Sequence, residues 1–478
     1  MEIRLGTAAG RGLLLGTILG SSMALLDGSI VNVALPHIGR DLGAPVWGLQ
    51  WTVNAYLLPL AALVLLGGSL GDRFGRRRVF LIGVAWFAVA SALCGLAPGI
   101  GWLVAARALQ GVGSALLTPG SLALIQSSIR PADRAPAIGL WAGLGGVASA
   151  AAPLIGGYLI DTLDWRWIFF INLPLAVVTI LVVLRYAPES RDVDAAGGRF
   201  DLPGAALGAL GLGGITFGLV NDSLWPGVAG GIVLAAFVAF ERRSRAPMMP
   251  TGLFRSVEFT VINAVTLVVY GALGGMAFFV VLQLQQVVGL SALRAGAALI
   301  PMTLILLAGS SWSGALGKRI GARLPLSIGA ATTAVGALLL VGVDAGASYW
   351  RDVFGPVVLM GIGMTLLVAP LTATVLAAAP DRLAGVASGI NNAVARSGSL
   401  LAVAALPLVA GLSGDEYGDP AAFTGSYRIA MMICAALFAF GAVLSFVLLP
   451  RRRSSPIVPP RDRPARRTDL SADPTTHP

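Results

Sequence analysis

Apolar residues in this chain come in runs of about membrane-spanning length, each closed by a short polar stretch. At roughly 20 apolar residues per crossing, runs fall near 12–35, 48–70, 79–97, 101–126, 136–160, 167–186, 203–221 and 225–240. Six more lie near 259–282, 294–316, 324–343, 352–378, 384–411 and 427–449, so the pattern predicts about fourteen membrane helices. An even number places both ends of the chain on one side of the bilayer. The N-terminal MEIRLGTAAGRG leads directly into the first run and reads as the start of a first helix, not as a cleaved signal.

The polar stretch from Gly68 to Arg78, GSLGDRFGRRR, organises the rest. It predicts a hairpin turn between two membrane helices, with Gly71 and Gly75 supplying backbone freedom. Arg73, Arg76, Arg77 and Arg78 are within reach of lipid phosphates there.

Composition fits the bilayer as solvent: 56% of the 478 residues are hydrophobic, 12% are charged, and mean hydropathy is +0.82. The net charge of +10 would suit a nucleic-acid partner if it were gathered on a soluble domain. Instead the basic residues lie between the runs, and on alternate loops. One side holds Arg4, Arg11, Arg73 to Arg78, Arg130, Arg134, Arg185 to Arg199, Arg242 to Arg255, Lys318 to Arg323, Arg382 and the tail arginines 451–467. The other side holds Arg40, Arg166, Arg294, Arg351 and Arg428. The positive-inside rule then predicts a multi-pass protein of the cell (plasma) inner membrane, both termini cytoplasmic, with no nucleic-acid partner. Cys94 and Cys434 sit far apart inside apolar runs, which argues against a disulfide framework or a metal site. The tail 451–478, rich in Pro, Arg, Ser, Asp and Thr, is expected to be disordered.

The loop has a second copy. Gly314-Ala-Leu316-Gly317-Lys318-Arg319-Ile-Gly321-Ala-Arg323 repeats its Gly, Leu, Gly, Arg, Gly and Arg positions 246 residues later. Gly111, Gly113, Leu116 and Leu117 return as Gly361, Gly363, Leu366 and Leu367 at an offset of 250, and Asp133-Arg134 as Asp381-Arg382 at 248. The common offset predicts an all-α polytopic fold of two six-helix bundles, 1–187 and 259–450, with two transmembrane helices and linkers inserted at 188–258 and a basic tail at 451–478.

These residues resemble the major facilitator superfamily, in particular its fourteen-helix drug/proton antiporters. The loop Gly68-Ser-Leu70-Gly71-Asp72-Arg73-Phe-Gly75-Arg76-Arg77 looks like the signature between helices 2 and 3. Leu25 to Pro36 resembles the helix-1 motif of the fourteen-helix branch, Arg107 to Ala115 the helix-4 motif, and Trp165 to Pro174 a mark entering helix 6. Gly139, Pro153, Gly156 and Gly157 match the helix-5 antiporter motif, while Ala148 and Ala152 stand where glycines are usual. The resemblance implies alternating access, export of a drug-like or antibiotic compound, a helix-5 face packed where the halves slide, and a cytoplasmic gate at Asp72. Lys318 replaces that acid in the second copy, so the gate is carried to Asp72 alone.

Few ionisable groups fall inside the runs: Asp27, Arg107 and Arg396. Each costs on the order of 3 kcal/mol at mid-membrane, so such residues face partners or water. Helix rise places Asp27 roughly 12 Å below the outer end of helix 1 and Arg107 about 10 Å below the outer end of helix 4, so the two are expected to approach or share a water, Arg107 modulating the proton affinity of Asp27. A static ion pair orienting two helices is the alternative. Arg107, Gln110, Ser114 and Thr118 make one polar stripe expected to face a cavity, although Ser114 and Thr118 could bond their own backbone. Gly385, Gly389, Asn392, Arg396 and Ser399 form another stripe, making Asn392 and Arg396 candidate substrate contacts, with a structural network as the alternative. Gln283, Gln285 and Gln286 are candidates for the outer mouth, and Asn54 and Tyr56 are further candidates.

The reading is a proton-coupled efflux transporter and not an enzyme: His37 and His477 lie apart, and no cluster suits a metal or a nucleophile. The expected partners are a small organic substrate, protons and lipid; the driving force is the proton gradient without a cofactor, and the expected form is a monomer. A proton-coupled or passive importer of a metabolite is the alternative on the same fold.

Overall fold

The computed structural model describes residues 3–191, 201–244, 247–380, 383–412 and 419–450. The tail expected to be disordered, the Asp381–Arg382 anchor of the repeat and linker residues 192–200 lie outside them. Fourteen helices among the described residues are long and apolar enough to cross a membrane. The first six are α1 (Ala8–Asp41), α2 (Val46–Phe74), α3 (Arg76–Gly95), α4 (Ile100–Ser128), α5 (Pro131–Thr162) and α6 (Trp167–Tyr186). An inserted pair follows, α7 (Leu202–Val220) and α8 (Leu224–Arg243). The last six are α9 (Val257–Gln286), α10 (Ala292–Gly317), α11 (Arg323–Leu340), α12 (Tyr349–Ala377), α13 (Ala384–Val409) and α14 (Pro420–Leu448).

Helices α1 to α6 form one bundle, in which α2 and α3 pack on α4 and α1 on α5 and α6. Helices α9 to α14 form the other, in which α9 packs on α13 and α14, and α12 on α10 and α11. The halves meet along α2–α13, α5–α10 and α1–α9, and α7 lies over the α2–α13 seam with Phe217 beside Trp51, ring centroids 6.2 Å apart. The end where α1 begins and α14 finishes carries the arginine clusters and is called the basic end below.

Several expectations need correction. Most helices are longer than their apolar runs, α1 most of all, while α11 and α13 stop short of theirs. The run at 167–186 is broken into Trp167–Phe170 and Asn172–Tyr186, and the run at 294–316 into Ala292–Ala298 and Ile300–Ile320. The cause is the same in both: Pro174 and Pro301 follow just after each break, and a proline removes a donor and crowds the carbonyl four residues back. The arginine loop is also tighter than its eleven polar letters suggest. Gly68 and Gly71 remain helical within α2, and the turn is Gly75 alone, at φ +109°. Its repeat, Gly321, turns at φ +84°, so the duplicated glycine marks a duplicated backbone reversal.

Candidate functional site

A polar cluster sealed inside the first bundle brings together five elements. Arg107 is 1% exposed and Asp27 is fully buried, and the guanidinium Nη1 donates to the Asp27 carboxylate Oδ2 as an ion pair. The same nitrogen donates to Gln110 Oε1 at 2.6 Å, and Gln110 Nε2 donates to the other carboxylate oxygen, Oδ1, at 2.8 Å. Arg107 Nε donates to the Thr52 carbonyl at 3.0 Å, and the guanidinium lies 4.4 Å from the centroid of the Tyr56 ring. Both carboxylate oxygens and the Nε and Nη1 of the guanidinium are thus met by partners, which is what allows two ions to persist away from water.

Gln110 and Tyr56 are themselves held in place by further hydrogen bonds. Ser91 Oγ accepts from Gln110 Nε2 at 3.2 Å and from Asn172 Nδ2 at 3.0 Å, and donates to the Phe169 carbonyl at 2.9 Å. Asn172 opens the second segment of α6, so the proline break turns its amide toward α3. Tyr56 reaches from α2, its hydroxyl 2.9 Å from Ser114 Oγ and 3.1 Å from the Ala24 carbonyl.

Asp27 and Arg107, expected near one depth, are in contact. Gln110 and Ser114 are placed differently from expectation: the stripe on α4 faces α1, α2 and α3, both side chains are fully buried, and neither lines an open cavity. A polar residue at helical spacing from a buried ion pair is taken up as its hydrogen-bond partner before it can face water. Ser91 and Thr52 were missed, and Asn172 stood only within the helix-6 mark with no partner assigned; single polar residues in apolar runs carry no periodic signal, and Thr52 contributes only a carbonyl.

In the second bundle Arg396 and Asn392 are half-buried on α13. Ser399, placed on the same stripe, turns toward α9 and donates to the Tyr270 carbonyl at 2.9 Å, whereas a Cβ on Gly389 would meet Leu65 of α2. The stripe therefore straddles the groove between α2 and α9.

At the basic end Asp72 pairs with Arg76, four residues on, at 2.8 Å, and Arg73 lies 5.7 Å from the Phe74 ring. Glu189, beyond α6, was not anticipated: its carboxylate accepts from the backbone N–H of Arg77 and of Arg78, each at 3.1 Å, capping α3.

Hydrogen bonds between described residues of the two halves gather at the opposite end. Asp161 at the end of α5 accepts from Ala292 N at 3.1 Å and Leu293 N at 2.9 Å, at the start of α10. Gln50 Nε2 donates to the Val403 and Ala404 carbonyls at 3.0 Å, and Gln285 Nε2 to the Val33 carbonyl at 2.8 Å. Gln285 and Gln286 line a depression of about 750 Å³ there with Asp161 and His37, whereas Gln283 is buried and donates to the Val343 carbonyl at 2.9 Å. The α5 face follows the same gradient. A Cβ on Gly157 would collide with the Leu293 backbone, one on Gly156 with Ile30, and one on Gly296 with the Pro153 carbonyl. Gly139 and Gly143, nearer the basic end, have nothing within 4 Å of such a Cβ. The halves clasp at one end, and the cleft between α5 and α10 widens toward the other.

The profile described as the Major Facilitator Superfamily matches residues 17–403. The chain is 34% identical over 457 residues to the tetracenomycin C resistance and export protein of Streptomyces glaucescens, covering 92% of this chain and 84% of that one. It is 34% identical over 446 residues to the cephamycin export protein CmcT of Amycolatopsis lactamdurans, covering 91% of each. It is 36% identical over 406 residues to the multidrug resistance protein Stp of Mycobacterium tuberculosis (strain CDC 1551 / Oshkosh), covering 82% of this chain and 74% of that one. Among solved structures, the POT family transporter PepTSo superposes with TM-score 0.68 at 16% identity over 91% of this chain and 97% of that one. A bacterial homolog of the human lysosomal transporter Spinster does so with TM-score 0.65 at 16% identity, over 93% and 97%.

Proposed function

The chain belongs to the major facilitator superfamily of transporters, and from that premise we propose that it exports a small drug-like or antibiotic organic compound in exchange for protons. Relatives named for antibiotic export and resistance support the direction of transport and the cargo class. Coupling to protons is carried by one observation: a carboxylate, Asp27, fully buried at mid-membrane and held by Arg107 and Gln110.

In this reading the basic end faces the cytoplasm, as the positive-inside rule requires, and the protein works as a monomer in the cell membrane with the proton gradient as its only driving force. With Asp27 ionised, the pair with Arg107 ties α1 to α4. A proton arriving from the outside neutralises the carboxylate and leaves the guanidinium to Gln110, the Thr52 carbonyl and the Tyr56 ring, so the packing of α1 against α4 changes. A ligand, here a proton, shifts a conformational equilibrium only through such a difference between states. Asp72 and Arg76, with Gly68, Arg73 and Gly75 around them, form the inner gate, and the Pro153–Gly157 face of α5 is the surface on which the halves move.

Proteoliposomes bearing an imposed pH gradient test this. The wild type is expected to move cargo against its own gradient and opposite to protons, while Asp27→Asn retains downhill exchange and loses uphill transport. Uphill transport by Asp27→Asn would remove Asp27 as the proton carrier, and cargo moving with the protons would make the protein an importer.

A further inference from the structure

Arg396 is the third ionisable group at mid-membrane, and its surroundings differ from those of the other two. It lies twelve residues into the 26-residue α13, about 18 Å from either end of that helix at the usual rise. It makes neither an ion pair nor a hydrogen bond with another described residue, and it is only half-buried. Asn392, one turn earlier on the same face, likewise makes no side-chain hydrogen bond with a described residue. Two tyrosines, Tyr56 of α2 and Tyr270 of α9, lie within its electrostatic reach. Among the described residues the one carboxylate at this depth, Asp27, is occupied by Arg107 and Gln110.

The charge count at the centre of the membrane is therefore minus one for Asp27, plus one for Arg107 and plus one for Arg396. An arginine does not discharge at any ordinary pH, so the excess is permanent. An unpaired guanidinium at this depth is costly and persists where it faces a water-filled path or a ligand. Its planar fork suits a carboxylate or another delocalised oxyanion. The resemblance to drug antiporters leaves the charge of the cargo open; the charge balance favours an anion.

We propose that Arg396, with Asn392 beside it, is the site that binds an anionic group of the cargo, so that the transported compounds are organic acids bearing a carboxylate or an acidic phenol. This rests on the exporter reading and adds to it the charge class of the cargo.

Two xanthene dyes of similar frame and opposite charge make the test: fluorescein, an anion, and rhodamine 6G, a cationic ester. Equilibrium binding to the purified protein in nanodiscs, followed by fluorescence anisotropy with no pH gradient, reads cargo charge apart from coupling. The wild type is expected to bind fluorescein at least about tenfold more tightly than rhodamine 6G. Arg396→Gln is expected to lose most of that preference by weakening fluorescein alone, and Arg396→Lys, which keeps the charge without the fork, to recover part of it. Rhodamine 6G binding that is unchanged in Arg396→Gln shows the variant to be folded. A wild type that favours rhodamine 6G, or a preference untouched by Arg396→Gln, would overturn the inference. Loss of gradient-driven transport with the charge preference intact would count against proton exchange and leave this assignment standing.

Discussion

Helices α4 and α12 occupy repeat-related places in the two bundles, and they have diverged in chemistry while keeping their packing. At the offset of 250 that aligns Gly111 and Gly113 with Gly361 and Gly363, Arg107, Gln110 and Ser114 of α4 correspond to Val357, Met360 and Met364 of α12. All six side chains are buried. The glycines do the same work twice: a Cβ on Gly111 would strike the Tyr56 carbonyl, and one on Gly361 would come within 2.9 Å of Met302 Cα. Close helix approach is what the fold needs from both halves. Among the described residues a buried ion pair occurs in the first half alone, the pairs of the second half being exposed, so its presence in α4 is not a requirement of the architecture.

The largest expected effect tests that separation. Arg107→Met leaves the Asp27 carboxylate buried without its cation and should cost about 3–5 kcal/mol, whereas Val357→Ala at the related site should cost about 1–2 kcal/mol of packing. Thermal unfolding in detergent ranks the two, and equal losses would mean that Asp27 is not held as an ion. Gly111→Ala and Gly361→Ala should instead behave alike, each losing about 1–3 kcal/mol through overpacking. A large inequality in that assay would show that the repeat does not preserve packing.

The repeat itself was legible because its glycines are fixed by backbone geometry, and Gly75 and Gly321 show why: each turns the chain at positive φ. The pairing of Asp27 with Arg107 was legible as well, since two opposite charges in apolar runs at one depth have few other places to go. The orientation of the α4 stripe was not. Helical spacing places Gln110 and Ser114 on one face but cannot say whether that face meets water or another helix, and here it meets α1, α2 and α3. Asn172 and Asp161 escaped for a different reason. Asn172 acts because Pro174 breaks α6, and Asp161 acts on backbone N–H groups of the other bundle, so each depends on a partner far away in sequence.

Asp161 carries the smallest of these effects. Asp161→Asn keeps one acceptor for the start of α10 and gives up the other, which should weaken closure at that end by about 1 kcal/mol. Spin labels at Leu163 and Val288 should then report a several-fold larger population of separated halves. An unchanged distance distribution would show that Gln50 and Gln285 suffice for the clasp.

Proton counting upon cargo binding tests the central claim most directly. With a pH-sensitive dye in weakly buffered solution, the wild type should exchange about one proton per cargo molecule bound, because cargo and proton favour different states of one equilibrium. Asp27→Asn should bind cargo and exchange none. The same proton count in that variant would contradict the account.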